Sequence, residues 1–490
     1  MSCTTILVGK NASYDGSTLM ARNEDSSAGA FTSKAFIVVN PEDQPRHYQS
    51  VLSKFQIDLP DNPLRYTAMP DTPSKKGIWG EAGINAANVA MSETETITSN
   101  ARVLGADPLV ADGMGEEDYL TLVLPYIHSA REGVLRLGAL HEKYGTYEMN
   151  GIGFQDQDEI WWFESIGGHH WLAKRVPDDA YAVIPNQMGI DRFDFADAFG
   201  KQENHLCSPD LVEFVETNHL NLTLGSHKPL AEERSFHARL AFGSHDDSDH
   251  TYNTARTWFI ERYLNPTTYP WDKAEEAANF GPEADVLPWC LVPEHKITVE
   301  EVKYALSGVY QGTAYDVYDK QSPHAFNKYR PIGINRTNFV ALTQIRPYVP
   351  KEIQCVEWIA EASNVYNAMV PFYTNVTKTP AYLANTTDDV STDNFYWANR
   401  LISALADPHH AACAIHIERY QNKIHSKGHQ FLRETDARYQ EERPEKVAPF
   451  LESCNEDMAA FAKKETQQLL GQVLYEASNG MKNAFARSDA

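Results

Sequence analysis

Cys3 opens an extended run, Cys3-Thr4-Thr5-Ile6-Leu7-Val8, and a second extended run returns to Arg22-Asn23-Glu24-Asp25. A thiol so near the chain start points to a nucleophile that uses its own α-amine as base. Residues 4–8 are β-branched and apolar, residues 9–17 are turn-forming, and residues 18–21 are extended again, which reads as a β-hairpin. If Leu7 pairs near Leu19, antiparallel register brings Cys3 to the neighbourhood of residues 22–25, because opposed residues lie about 5 Å apart. Arg22 then favours the thiolate, and Asp25 holds an ammonium or orients a base. On position alone the commoner role of such a cysteine is a small buried strand hydrophobe, with residues 22–25 as a solvated strand end.

The elements that must position these groups are bounded by composition. A chain of 490 residues can bury a large core, as one domain with insertions or as two. Its 43 basic and 67 acidic residues give a formal charge of -24, which argues against a nucleic-acid backbone or an anionic membrane as partner. The six cysteines, at positions 3, 207, 290, 355, 413 and 454, lack the paired spacing of zinc or redox motifs, so five of them read as reduced structural thiols. No run of 18 apolar residues occurs, and no basic region followed by an apolar stretch opens the chain; a cytoplasmic location is expected.

Up to about residue 100 the pattern is strand-rich: the hairpin, residues 35–39, and residues 84–92. Residues 118–140 repeat apolar side chains at helical spacing, with a break expected at Pro125. Strands are expected at 160–164, 170–175 and 181–184, mixed helical structure over 195–270, and strand again over 332–346. From about 411 to 487 the chain is rich in Glu, Lys, Gln, Leu and Ala and reads as helical. This order suggests a layered α+β core, with a catalytic domain over 1–400 and a helical region over 401–490. The latter serves either as the interface of an expected homo-oligomer or as a shield for the core.

Several segments carry a resemblance. Cys3-Thr4-Thr5, Asp15-Gly16-Ser17, Arg22-Asn23-Glu24-Asp25, Trp79-Gly80-Glu81-Ala82-Gly83-Ile84-Asn85 and Val89-Ala90-Met91-Ser92-Glu93-Thr94 are followed in order by Gly167-Gly168-His169, Pro185-Asn186-Gln187, Tyr252-Asn253, Arg256-Thr257-Trp258, Tyr310-Gln311-Gly312-Thr313 and Arg330-Pro331-Ile332. Over residues 3 to 375 the chain resembles the bacterial C69 cysteine dipeptidases known as dipeptidase D. They are similar to N-terminal nucleophile hydrolases, with a four-layer αββα core, and are related to bile-salt hydrolases and penicillin V acylases.

The resemblance implies dipeptide hydrolysis without metal or cofactor. Cys3 is the implied nucleophile, its freed α-amine the base, Arg22 the thiolate's partner and Asp25 the amine's. An α-amine of pKa about 7.7–8.0 and a thiol of about 8.5 exchange a proton almost evenly near neutrality. Asn186, otherwise a turn residue after Pro185, matches the oxyanion donor, and Arg256, otherwise a surface ion-pair residue, matches a further active-site arginine. Ser92 is a candidate backbone donor to the oxyanion, and Glu24 and Glu93 are candidates for holding the substrate ammonium. Met1-Ser2 precede the cysteine, so both must be removed to free its amine.

Three rivals remain on sequence. The cluster His245, Asp246, Asp247, Asp249, His250 and the pairs His169-His170 and His409-His410 suggest metal hydrolysis, but no His-Glu-x-x-His helix is present. A bile-salt or penicillin V acylase keeps the fold with another substrate. A secernin-like, non-catalytic interaction protein is the third.

Overall fold

β-branched and apolar residues hold Ser2–Val8 (β1) extended, and a turn returns the chain into Thr18–Asp25 (β2). Gly16 sits at φ 85°, which only glycine adopts without strain, and the Asp15 carboxylate accepts from Ser17 N at 3.0 Å to close the turn. The register pairs Cys3 with Glu24, Thr5 with Arg22 and Leu7 with Met20, one residue from the expected pairing. In the computed structural model, which describes residues 2–72, 78–224, 229–319, 321 and 328–485, this hairpin lies at the centre of the larger of the two main sheets.

The remaining strands of the two sheets are Ala82–Ile84 (β3), Ala90–Thr96 (β4), Asn150–Gln155 (β5), Ile160–Ile166 (β6), His170–Arg175 (β7), Tyr181–Ile184 (β8), His205–Cys207 (β9), Cys290–Leu291 (β10), Thr337–Ile345 (β11), Cys355–Glu361 (β12) and Val370–Tyr373 (β13). The seven-stranded sheet runs β10-β8-β1-β2-β11-β12-β13 and the six-stranded sheet β9-β7-β6-β5-β4-β3, with neighbours antiparallel. Both faces of each sheet are covered, so strands read as continuous apolar runs rather than alternating ones. In Ile160-Trp161-Trp162-Phe163, Ile160 and Trp162 join the core shared with Leu7, Met20 and Ile184 of the other sheet, while Trp161 and Phe163 pack with the helices outside.

Those outer helices are Glu116–Val123 (α1) and Ala130–Tyr144 (α2), separated by a tight turn at Leu124–Tyr126 where Pro125 cannot donate to a continuing helix. Over the far face of the seven-stranded sheet lie Ala255–Leu264 (α3), Val299–Leu306 (α4), Phe395–Ala406 (α5), His410–Glu442 (α6) and Val447–Asn479 (α7). α6 and α7 pack against each other and on β13, so the helical stretch expected after residue 401 forms part of the layer that covers this sheet. No helix among the described residues is long and apolar enough to cross a membrane.

Most expected strands appear, but several details differ. Residues 84–92 contribute to two strands, β3 and β4, joined by a turn in which Asn85 accepts from Ala87 N and Val89 N and Asn88 adopts φ 63°. The 35–39 segment keeps a strand only at Ile37–Val39, in a separate two-stranded ribbon. Glycine-bearing β5 was not expected, because glycine weakens strands in isolation. Here packing requires it: a Cβ on Gly151 would lie 2.2 Å from the Trp162 ring, and one on Gly153 would lie 2.5 Å from Met20 Sδ on the facing sheet. Gly83 is tighter still, with a Cβ falling 1.8 Å from the Thr67 carbonyl oxygen, a backbone atom that cannot swing aside. Gly83→Ala is expected to lower unfolding free energy by about 1–3 kcal/mol, the usual cost of overpacking, measured by urea denaturation.

Candidate active site

The hairpin register sets the site. Cys3, Arg22 and Glu24 share one face of the β1–β2 pair, the face turned towards the second sheet with Leu7 and Met20. Arg22 Nη2 donates to Cys3 Sγ at 2.8 Å, and both residues are buried. Its Nη1 bonds Glu81 Oε2 at 2.8 Å and the Glu81 carbonyl at 3.3 Å. Glu81 stands just before β3 at φ 64°, a conformation that costs a non-glycine residue energy and is held by these bonds.

A second buried cation completes the network. Lys34 Nζ meets Asp71 at 2.7 Å, Glu81 Oε1 at 3.1 Å and Glu24 Oε2 at 3.6 Å. Burial alone would push the Lys34 ammonium down, but the three carboxylates outweigh it and hold its pKa well above the usual lysine value. Glu24, which also accepts from Asn338 Nδ2 at 2.8 Å, is pushed up to about 7, chiefly by burial, with Lys34 opposing and Glu81 and Asp71 adding.

The backbone side of Cys3 is gripped by a different set. Cys3 N donates to Asn186 Oδ1 at 3.1 Å. Asn186 follows the end of β8, the neighbour of β1, and its Nδ2 donates to Thr96 O at 3.2 Å. Arg256, on α3 and fully buried, bonds the Cys3 carbonyl, Thr4 Oγ1 at 2.8 Å, Asn186 Oδ1 at 2.9 Å and Asn253 Oδ1 at 2.7 Å. A π-helical turn, His250–Thr254, precedes α3 and presents Tyr252 and Asn253 to this guanidinium.

Asp25 lies one register step further along, opposite Ser2, where its carboxylate accepts from Arg330 and from Thr337 Oγ1 at 2.5 Å. Ser92 is buried on β4 opposite Ala82. The Glu93 side chain lies outside the described residues. The site end of both sheets carries a bulge, between Thr337 and Phe339 in β11 and between Ser92 and Glu95 in β4, a feature that re-aims side chains at sheet rims.

Beside Asn186 opens a cavity of about 660 Å³, lined by Ser27, Thr96, Thr98, Asn186, Tyr252 and Asn253 among others. This is the size of a small-molecule site. Of the residues singled out in the sequence, the structure brings Cys3, Arg22, Glu24, Asn186 and Arg256 together and turns Asp25 to Arg330 and Thr337; Lys34, Asp71, Glu81, Asn338 and Arg330 were not singled out. Glu81, Arg330 and Asn253 sit inside segments that carried the resemblance, which was the available signal.

The other five cysteines are free thiols, and burial raises the pKa of each, to about 11 for Cys290 and about 12 for Cys207. The histidine-rich segment disperses: His250 pairs with Asp285, and Asp249 bonds Ser244 and Asn253. Among the described residues no three His, Cys, Asp or Glu side chains are grouped to hold a metal ion.

Comparison with known proteins supplies the family. The sequence model of Peptidase family C69 matches residues 2–423. The chain belongs to that family. This C69 peptidase is 50% identical to the protein named dipeptidase from Bifidobacterium longum, with both chains covered in full. It is 54% identical to the probable dipeptidase A of Streptococcus pyogenes serotype M3, again over the whole of both. Dipeptidase A of Lactobacillus helveticus is 43% identical over 97% of this chain and 96% of its own.

In this C69 peptidase the buried Glu24 generates a pH signature. Its carboxyl holds a proton more tightly folded, at about 7, than unfolded, at the ordinary 4.5, so its contribution to stability is present below that range and lost as pH rises through 7. Glu24→Gln is expected to flatten this part of the decline. Urea denaturation of both proteins at pH 5 and pH 7.5 measures it, and parallel curves would count against the assignment.

Proposed function

We propose that this peptidase hydrolyses dipeptides with Cys3 as nucleophile, its amine freed by removal of Met1 and Ser2, on an N-terminal nucleophile hydrolase core. The observation that carries the reading is the double grip on Cys3: a guanidinium on its sulfur and an amide oxygen on its nitrogen. The first favours thiolate, and the second holds the nitrogen where a freed amine would stand. Two facing antiparallel sheets with helices outside both support the αββα core. The full-length relatives named dipeptidase support the substrate class.

In the proposed reaction the Cys3 amine takes the thiol proton, and the thiolate attacks the peptide carbonyl carbon. The tetrahedral oxyanion is met by Asn186 Nδ2 and the Ser92 backbone amide. The ammonium of Cys3 then protonates the leaving amine as the C–N bond breaks, leaving a thioester on Cys3. Water, deprotonated by the same amine, cleaves the thioester and restores the thiol. Arg256 fixes Asn186 and the Cys3 carbonyl against each other. Asp25, held by Arg330 and Thr337 at the register position of Ser2, is assigned to the freed amine of Cys3.

For the substrate's own termini we assign Glu24 or Glu93 to the ammonium. We assign Arg336, whose Nη2 donates to the hydroxyl of cavity-lining Tyr252 at 2.9 Å, to the carboxylate. The site-bearing part is assigned to residues 1–400, with residues 401–490 as covering helices.

Mass spectrometry of active enzyme is expected to find a chain that begins at Cys3, and Cys3→Ala to abolish hydrolysis of a dipeptide panel. Asn186→Ala is expected to lower kcat by about 100-fold to 1000-fold. Full activity from a chain that retains Ser2 would overturn the amine's role. Arg336→Met is expected to raise KM for dipeptides far more than it lowers kcat; an unchanged KM would remove it from the carboxylate site.

A further inference from the structure

On the opposite face of the seven-stranded sheet from Cys3, α4 and α6 line a second cavity of about 350 Å³. Glu300, Lys303 and Tyr304 reach it from α4 and Ser307 from the cap that ends that helix, at three- and four-residue spacing. His410, Ile417, Gln421 and His425 reach it from α6. Its walls include Val309, Val365 and the Tyr366 ring.

Two buried basic groups line it. Lys303 is 3% exposed, and its Nζ donates to Ser307 Oγ at 2.8 Å and to the Asn364 carbonyl. No carboxylate among the described residues pairs with it, and an ammonium carries three hydrogens. His425 is 8% exposed, and its Nε2 is buried with no hydrogen-bond partner among the described residues. Glu300 lines the same cavity but is taken by His429 Nε2 at 2.7 Å. Burial pushes Lys303 down to about 7 and His425 down to about 4, the second also through Lys303, with Glu300 opposing. A cation buried without a counter-charge is costly, and an anion seated between these groups would offset that cost.

We propose that this cavity is a second ligand site for a small organic carboxylate with an apolar body. Its carboxylate bonds Lys303 Nζ and His425 Nε2, and its body packs on Val309, Val365 and Ile417. A simple branched acid and a free amino acid share this chemistry. The exposed Glu418, also on the lining, distinguishes them by holding the ammonium of the second. The site is independent of the peptidase reading, since none of its residues belongs to the Cys3 network.

The test titrates isovalerate and, separately, L-leucine into full-length Cys3→Ala protein and reads binding by calorimetry. Lys303→Met in that background is expected to weaken isovalerate binding by about tenfold or more, as loss of a charge-assisted contact requires. If leucine binds more tightly than isovalerate and Glu418→Gln removes the difference, the ligand is an amino acid; equal affinities identify a simple carboxylate. His425→Leu gives the same readout should Lys303→Met fold poorly. Saturable binding unaffected by both variants, or no binding of either probe, overturns the proposal. Because turnover is not read, failure here leaves the dipeptidase reading standing, and failure of that reading leaves this one.

Discussion

Burying the Arg22 guanidinium between two sheets constrains everything around Cys3. A buried cation is tolerated only with excellent geometry and matched partners, because desolvation costs several kcal/mol per ion. Arg22 meets the sulfur on one side and Glu81 on the other. Glu81 in turn needs Lys34, and Lys34 draws in Asp71 and Glu24. The chain of compensation reaches residues 3, 22, 24, 34, 71 and 81, which span five separate segments. Rotating any one member would leave a neighbour's charge uncompensated, so the network holds the thiol in one geometry.

This network also accommodates a change of charge. In the proposed reaction, converting the thiol to thiolate adds a negative charge beside Arg22. Glu24, opposite Cys3 and on the same face, has its carboxyl pushed up to about 7, so its proton is available to keep the local balance near neutrality. On the far side of the thiol, Arg256 and Arg330 each lie over the Tyr252 ring, at 5.2 and 5.0 Å from its centroid. Arg256 and the Arg330–Asp25 pair thus stand on one side of Cys3, and the Lys34–Asp71–Glu81 network stands on the other.

What could be read from sequence follows contact distance along the chain. The hairpin is local: turn chemistry fixes its register, and register alone puts Arg22 and Glu24 beside Cys3. Pro125 likewise announced the break between α1 and α2, and the helix-forming composition after residue 411 announced α6 and α7. Lys34, Asp71 and Glu81 were opaque because a charged residue in a loop usually faces water, and only the closing of two sheets buries these. β12 was opaque for the same reason: Glu357 and Glu361 interrupt Cys355–Glu361 with charges, yet both are buried, and burial pushes Glu357 up to about 8. β5 was hidden by glycines whose purpose appears only when Trp162 and Met20 arrive from other strands.

The C-terminal helices bear on the site through the sheet's far edge. β13 is the last strand of its sheet, and an edge left uncovered invites pairing with another chain. Asn455 of α7 answers this directly, accepting from Tyr373 N at 3.0 Å and donating to Tyr373 O at 2.9 Å, as a neighbouring strand would. Asp436 of α6 accepts from the Tyr373 hydroxyl at 2.7 Å and pairs with Arg346, just beyond β11, at 2.7 Å. β11 is also the strand that pairs with β2 and brings Thr337 to Asp25. Helices more than 400 residues from Cys3 therefore tie down the same strand that borders its hairpin. The covering layer is part of what holds the Cys3-bearing sheet in register.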